Sequence, residues 1–235
     1  MLKLYIGNKN YSSWSMRPWV MLREAGIPFE EVMVRFDDMQ AGSAFKQTVT
    51  QLSPAARVPF LTDGDLVIWD TLAIAEYVNE YAAAHHPDAL LWPTDRLHRA
   101  RARSICAEMH SGFSALRNAC TMNLEASLLE AGAIVWRDQP AVRADVARLV
   151  SMWSELLGTP PLETGEHFLF GQFSIADAYF APVCARLKTY GLPVPAHITR
   201  YVDRVFATRS VKAWLADALQ EHDFVAFDEP YRLAP

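Results

Sequence analysis

The apolar periodicity of this chain changes once, near residue 83, and no single-layer architecture satisfies both sides of that change. Before it, short alternating runs alternate with helical stripes. Leu2 to Ile6 alternates and stops at Gly7-Asn8, and from Ser15 a helical stripe carries Trp19, Val20, Leu22 and Ala25 up to Gly26-Ile27-Pro28. Phe29 to Val34 alternates again, and residues 35 to 45 read as a loop entering a short helix. Val58–Leu61 and Leu66–Ile68 flank Thr62-Asp63-Gly64-Asp65, a hairpin turn sequence. Asp70 then opens a helix with Leu72, Ile74, Ala75, Tyr77 and Val78 on its inner side. A β-α-β crossover makes the first two strands parallel and the hairpin adds an antiparallel pair, giving a four-stranded sheet covered by helices. After Thr94 the spacing is three to four throughout, with no convincing strand pair, and Gly158-Thr159-Pro160-Pro161 ends one helix before another opens at Ser174. The expected organisation is an α/β domain over 1–82, a linker over 83–93 and an all-helical domain over 94–235.

A hydrophobic fraction of 51% with 21% charged residues describes a globular chain with a sizeable core. The net charge of -5, without a basic stripe, argues against nucleic acid as a partner. No apolar run is long enough to span a bilayer and no leader is visible, so the expectation is a cytoplasmic protein away from membranes. Cys106, Cys120 and Cys184 are sparse and odd in number, and read as reduced, buried thiols. The adjacent His85-His86 cannot converge on one ion, and no metal site is expected. Neither a glycine-rich phosphate loop nor a Gly-x-Ser-x-Gly elbow is present.

Three places carry possible chemistry. In Tyr11-Ser12-Ser13-Trp14-Ser15-Met16-Arg17-Pro18, Ser15 is expected to cap the first helix, with Pro18 in its first turn. Ser12 and Ser13 exceed what one cap needs. A hydroxyl at a helix N-terminus lies where free N–H groups favour an anion such as a thiolate. In Arg57-Val58-Pro59-Phe60, Pro59 taken alone reads as a trans proline at a strand start. In Trp69-Asp70-Thr71, Asp70 is an N-cap at a second helix terminus that could receive a carboxylate.

In this order and spacing, the three places resemble the N-terminal domain of the glutathione transferase family, from Leu2 to Glu80. Ser12-Ser13-Trp14-Ser15-Met16-Arg17 is similar to the Ser-Ser-Cys-x-x-Arg signature of the zeta, maleylacetoacetate isomerase-like class. Val58-Pro59 matches the family's Val–cis-Pro, and Asp70-Thr71 stands where the family has an acidic or amide residue followed by serine. In the helical half, Ser111–Asn118 looks like a zeta-type segment, and Phe173-Ser174-Ile175-Ala176-Asp177 is similar to the family's buried capping box.

The resemblance implies a thioredoxin-like domain that binds glutathione as co-substrate, followed by a helical domain with the pocket for a small hydrophobic electrophile, in a homodimer. Ser12 or Ser13 would stabilise the glutathione thiolate, with Tyr11 as a rival donor. Val58 would pair with the cysteinyl backbone beside Pro59, Asp70 and Thr71 would hold the γ-glutamyl end, and Arg57 the glycyl carboxylate. His110, Phe113 and Arg117, on one helical face, would line the second-substrate pocket with Tyr11 and Trp14. Trp14 replaces the signature cysteine, which disfavours thiol redox chemistry. The expected activity is therefore conjugation or isomerisation of electrophiles. A glutathione-dependent peroxidase or reductase, or a non-catalytic binding module on the same scaffold, are the alternatives.

Overall fold

The computed structural model describes residues 1–37, 40, 42–89, 91–158 and 167–232. Its first half runs β1 (Leu2–Ile6), α1 (Ser13–Glu24), β2 (Glu30–Met33), α2 (Ala44–Leu52), β3 (Phe60–Asp63), β4 (Leu66–Trp69) and α3 (Thr71–His85). The four strands form one sheet in the order β2-β1-β3-β4. β1 and β2 are parallel, whereas β3 is antiparallel to both β1 and β4, as the crossover and hairpin patterns require. Leu2, Leu4 and Ile6 point to one face of β1 and are wholly buried. The Val58-Pro59 bond is cis, as the family resemblance implied and the residue pattern alone did not.

Two expectations at α1 are corrected. The helix opens at Ser13, not after Ser15, and Ser15 lies buried inside its first turn. The Ser15 hydroxyl oxygen instead accepts the Gly7 N–H at 3.1 Å, joining the end of β1 to the helix. Pro18 consequently falls in the second turn, within the helix, where its ring supplies no N–H to the Trp14 carbonyl. The cost is tolerable because α1 is buried over most of its length between the sheet and the helical half.

The second half comprises α4 (Arg96–Ser111), α5 (Ser114–Ala119), α6 (Leu129–Asp138), α7 (Pro140–Leu157), α8 (Ile175–Thr189), α9 (Ala196–Ala207), α10 (Arg209–Ala218) and a 3-10 turn at Ala226–Asp228. Since α3 runs to His85, the expected linker includes the end of that helix. Gly158 follows α7 with φ 79, while Thr159–Pro161 lie outside the described residues. The helical reading after Thr94 omits two isolated bridges, Phe168 with Gly171 and Phe170 with Gln172, formed where Gly171 takes φ 88. α8 packs on both α1 and α4, which explains why it is apolar around most of its circumference.

The entry to α8 is the expected capping box. Asp177 Oδ2 accepts the Ser174 N–H at 2.9 Å, and Oδ1 accepts the Leu169 N–H at 3.1 Å and the Tyr201 hydroxyl at 3.0 Å. Burial nevertheless pushes this carboxyl up from 3.8 to about 6, outweighing the donors around it. A folded-state value above the unfolded one means that Asp177 favours folding most below about pH 4, and that this contribution falls as pH rises through 6. Compared with Asp177→Asn, which cannot ionise, the wild type should gain roughly 2–3 kcal/mol as pH falls from 7 to 4. Urea unfolding of both proteins across that range measures the difference, and a gap independent of pH would contradict it.

Candidate active site

A cavity of about 350 Å³ opens where the N-terminus of α1 meets the helical half, with Ser12, Ser13, Arg57, Val58, Arg117 and Arg186 among its lining residues. Ser12 occupies the N-cap position without accepting a capping N–H. Its hydroxyl donates to Ser15 Oγ at 2.7 Å. Ser13 Oγ instead accepts from Arg186 Nη2 at 3.3 Å, so its own proton is not committed to that contact. Of the two serines, Ser13 is therefore the one that can donate into the cavity without breaking a bond.

Tyr11 is among the lining residues, but its hydroxyl donates to Glu229 Oε1 at 2.7 Å and lies 2.8 Å from the Asp223 carbonyl. Burial, followed by the Glu229 contact, raises its pKa far above the ordinary value. The tyrosine is thus a structural tie to the C-terminal segment rather than an available donor. Phe36 joins the wall from the loop after β2, its N–H bonded to Asn8 Oδ1 at 2.6 Å. Gly7 lets it lie close, because a Cβ there would meet the Phe36 ring at 2.4 Å and push it aside.

Trp14 has two guanidiniums over its ring, Arg17 at 4.2 Å and Arg117 at 4.6 Å from the ring centre. The His110 ring meets it edge-on at 5.0 Å, and His110 Nε2 lies 3.3 Å from Asp70 Oδ2. Asp70 takes φ 63 and its Oδ1 accepts the Leu72 N–H at 2.9 Å, confirming it as the cap of α3. Pro59, Asp70 and Thr71 are not among the residues lining the cavity. The expected single face of His110, Phe113 and Arg117 is corrected. α4 ends at Ser111, Phe113 is in the left-handed region at φ 55, and Arg117 belongs to α5. Only Arg117 of the three lines the cavity, since the break at Gly112 turns the chain.

Arg186, Lys46, Phe227 and Asp228 also line the cavity and were not anticipated. Arg186 had a visible signal, a cation directly after the apolar run Ala178–Ala185 of α8. Phe227 and Asp228 had none, as they arrive from the far end of the chain. Arg186 is buried, and desolvation lowers its pKa to about 10; Arg17, buried equally, falls to about 9. Burial raises the Asp228 carboxyl to about 6, with Arg186 acting in the opposite direction. The three cysteines are buried and unpaired, with burial pushing the Cys120 thiol to about 12. Among the described residues, no group of three or more His, Cys, Asp or Glu could hold a metal ion. No helix among them is long and apolar enough to cross a membrane.

Residues 11–80 match the family description of the glutathione S-transferase N-terminal domain, and residues 99–218 that of its C-terminal domain. A probable maleylacetoacetate isomerase of Caenorhabditis elegans is 34% identical over 122 residues, 52% of each chain. The chain thus spans about half the length of that relative. A stringent starvation protein A homolog of Haemophilus influenzae is 26% identical, covering 81% of this chain and 80% of its own. Among solved structures, a glutathione transferase homolog from Burkholderia, with bound glutathione, aligns at TM-score 0.67 and 29% identity. That alignment covers 94% of this chain and 98% of the other.

Tyr11→Phe should leave the buried Glu229 with one donor fewer and lower stability by about 1–3 kcal/mol. Urea unfolding tests this, and an unchanged midpoint would show that the tie is energetically idle.

Proposed function

The chain belongs to the glutathione S-transferase family, and we propose that it binds glutathione in the cavity at the start of α1 and activates its thiol through Ser13. The carrying observation is the Ser13 hydroxyl, which lines the cavity with an oxygen already hydrogen-bonded and a proton free to donate. A thiolate accepting that proton also lies near the positive end of the α1 dipole. Lowering a thiol pKa by about two units needs roughly 2.7 kcal/mol, within reach of one charge-assisted hydrogen bond plus a helix terminus. The activated sulfur then forms a bond to an electrophilic carbon, whose π electrons or leaving group take away the displaced pair. Conjugation leaves the adduct in place, whereas isomerisation is completed when sulfur departs again. The glutathione-bound Burkholderia neighbour supports the ligand, and the serine pair with the likeness to an isomerase relative supports a zeta-like placement.

In this reading, Val58 meets the cysteinyl backbone, Arg57 and Lys46 offer cations at the glycyl end, and the wall of Trp14 and Arg117 faces the electrophile. Asp70 and Thr71 serve the γ-glutamyl end from beside the cavity. The division at residues 82 and 94 separates glutathione-binding and electrophile-binding parts. A homodimer is part of the same proposal; Leu66 and Trp69 on edge strand β4 remain 51% and 44% exposed.

Calorimetric titration with reduced glutathione, alongside ultraviolet thiolate absorbance near neutral pH, tests the assignment. Saturable binding is expected, with the thiolate signal lost in Ser13→Ala and largely kept in Ser12→Ala. No binding at millimolar glutathione would overturn the proposal. Binding with thiolate formation intact in Ser13→Ala would transfer the role away from that serine.

A further inference from the structure

Three guanidiniums, from Arg17 on α1, Arg117 on α5 and Arg186 on α8, gather around Trp14 and Ser13. Among the described residues none of them forms an ion pair with a carboxylate. Arg186 bonds only neutral groups: Nε donates to the Cys120 carbonyl at 2.8 Å, Nη1 to the Pro182 carbonyl at 3.2 Å, and Nη2 to Ser13 Oγ at 3.3 Å. Arg17 Nε and Nη1 have no hydrogen-bond partner. Buried cations that form no ion pair are costly, and a neutral side chain could fill the same place in the helix. The arrangement becomes favourable when an anion occupies the cavity.

We propose that Arg186 is a positioning residue that sets the acidity of the bound thiol by acting through the Ser13 hydroxyl. The proposal rests on the glutathione reading above. By donating to Ser13 Oγ, Arg186 occupies an acceptor site of that oxygen and leaves the O–H for the sulfur. It also polarises the hydroxyl into a stronger donor. The thiol proton passes to solvent, the sulfur keeps the electron pair, and no covalent bond forms in this step. The ionisable neighbours of Arg186 are Arg117, Cys120, Tyr190 and Asp228, with Arg17 next along the cluster. Burial raises Cys120 and Tyr190 to about 12, so both are uncharged near neutral pH. Asp228 is then the single opposing charge among these neighbours, and the arginines outnumber it.

The test is the pH profile of thiolate absorbance for glutathione bound to wild type, Arg186→Gln and Arg186→Lys, with binding established first by calorimetry. Arg186→Gln retains an amide donor for the neighbouring carbonyls, and should raise the apparent thiol pKa by about one unit or more. Arg186→Lys keeps the charge and should restore part of that loss, which a purely structural role would not produce. In a Ser13→Ala background, Arg186→Gln should add little, because its route to the sulfur is gone. Glutathione binding with an unchanged thiol pKa in Arg186→Gln would overturn the inference while leaving the function intact. Failure of the wild type to bind glutathione would instead remove the reading on which both depend.

Discussion

Residues 8–11, the loop that delivers the chain into α1, are held by carboxylates that follow 211 to 218 positions later. Glu221 accepts the N–H groups of Lys9 and Asn10, Asp223 accepts the Asn8 amide, and Glu229 accepts the Tyr11 hydroxyl. Lys9 completes the anchorage. Its ammonium lies 2.8 Å from Glu31 and 2.6 Å from Asp217, above the rings of Trp19 and Trp214. Burial drives the Glu221 carboxyl up, and its two N–H donors act in the opposite direction. The position of Ser13 is therefore fixed from outside the sheet as much as by the helix that begins with it.

Trp14 stands where the zeta-class signature that this segment resembles has a cysteine, and the difference has a physical sequel in the cavity wall. A cysteine would offer no aromatic face, whereas the indole has both Arg17 and Arg117 within 5 Å of its ring centre, at 4.2 and 4.6 Å. His110 then links this stack to the cap of α3. The tryptophan thus gives two like charges a cation–π partner at a buried helix end.

Local patterns carried much of the architecture in readable form. The crossover and the Asp63-Gly64-Asp65 turn yielded the strand directions, and Asp70 and the Ser174–Asp177 pair were recognisable as caps. Each depends on neighbours within a few residues. The start of α1 was less readable because Ser12, Ser13 and Ser15 all suit a cap, and the choice was made by Gly7 N–H reaching Ser15 across the strand–helix gap. The break at Gly112 disguised itself as continuous helical spacing. Arg186 meets Ser13, Glu229 meets Tyr11 and Asp228 reaches the cavity only through tertiary folding, so no local pattern could place them.

The C-terminal clasp on residues 8–11 also imposes an order on assembly. During synthesis, the residues of the sheet and of α1 are available to pair long before Glu221 and Glu229 leave the ribosome. A nascent chain can thus bury the sheet core while the loop ahead of Ser13 still lacks its restraints. Completion of the cavity waits on residues 221 to 229, which makes its geometry depend on the segment that follows α10.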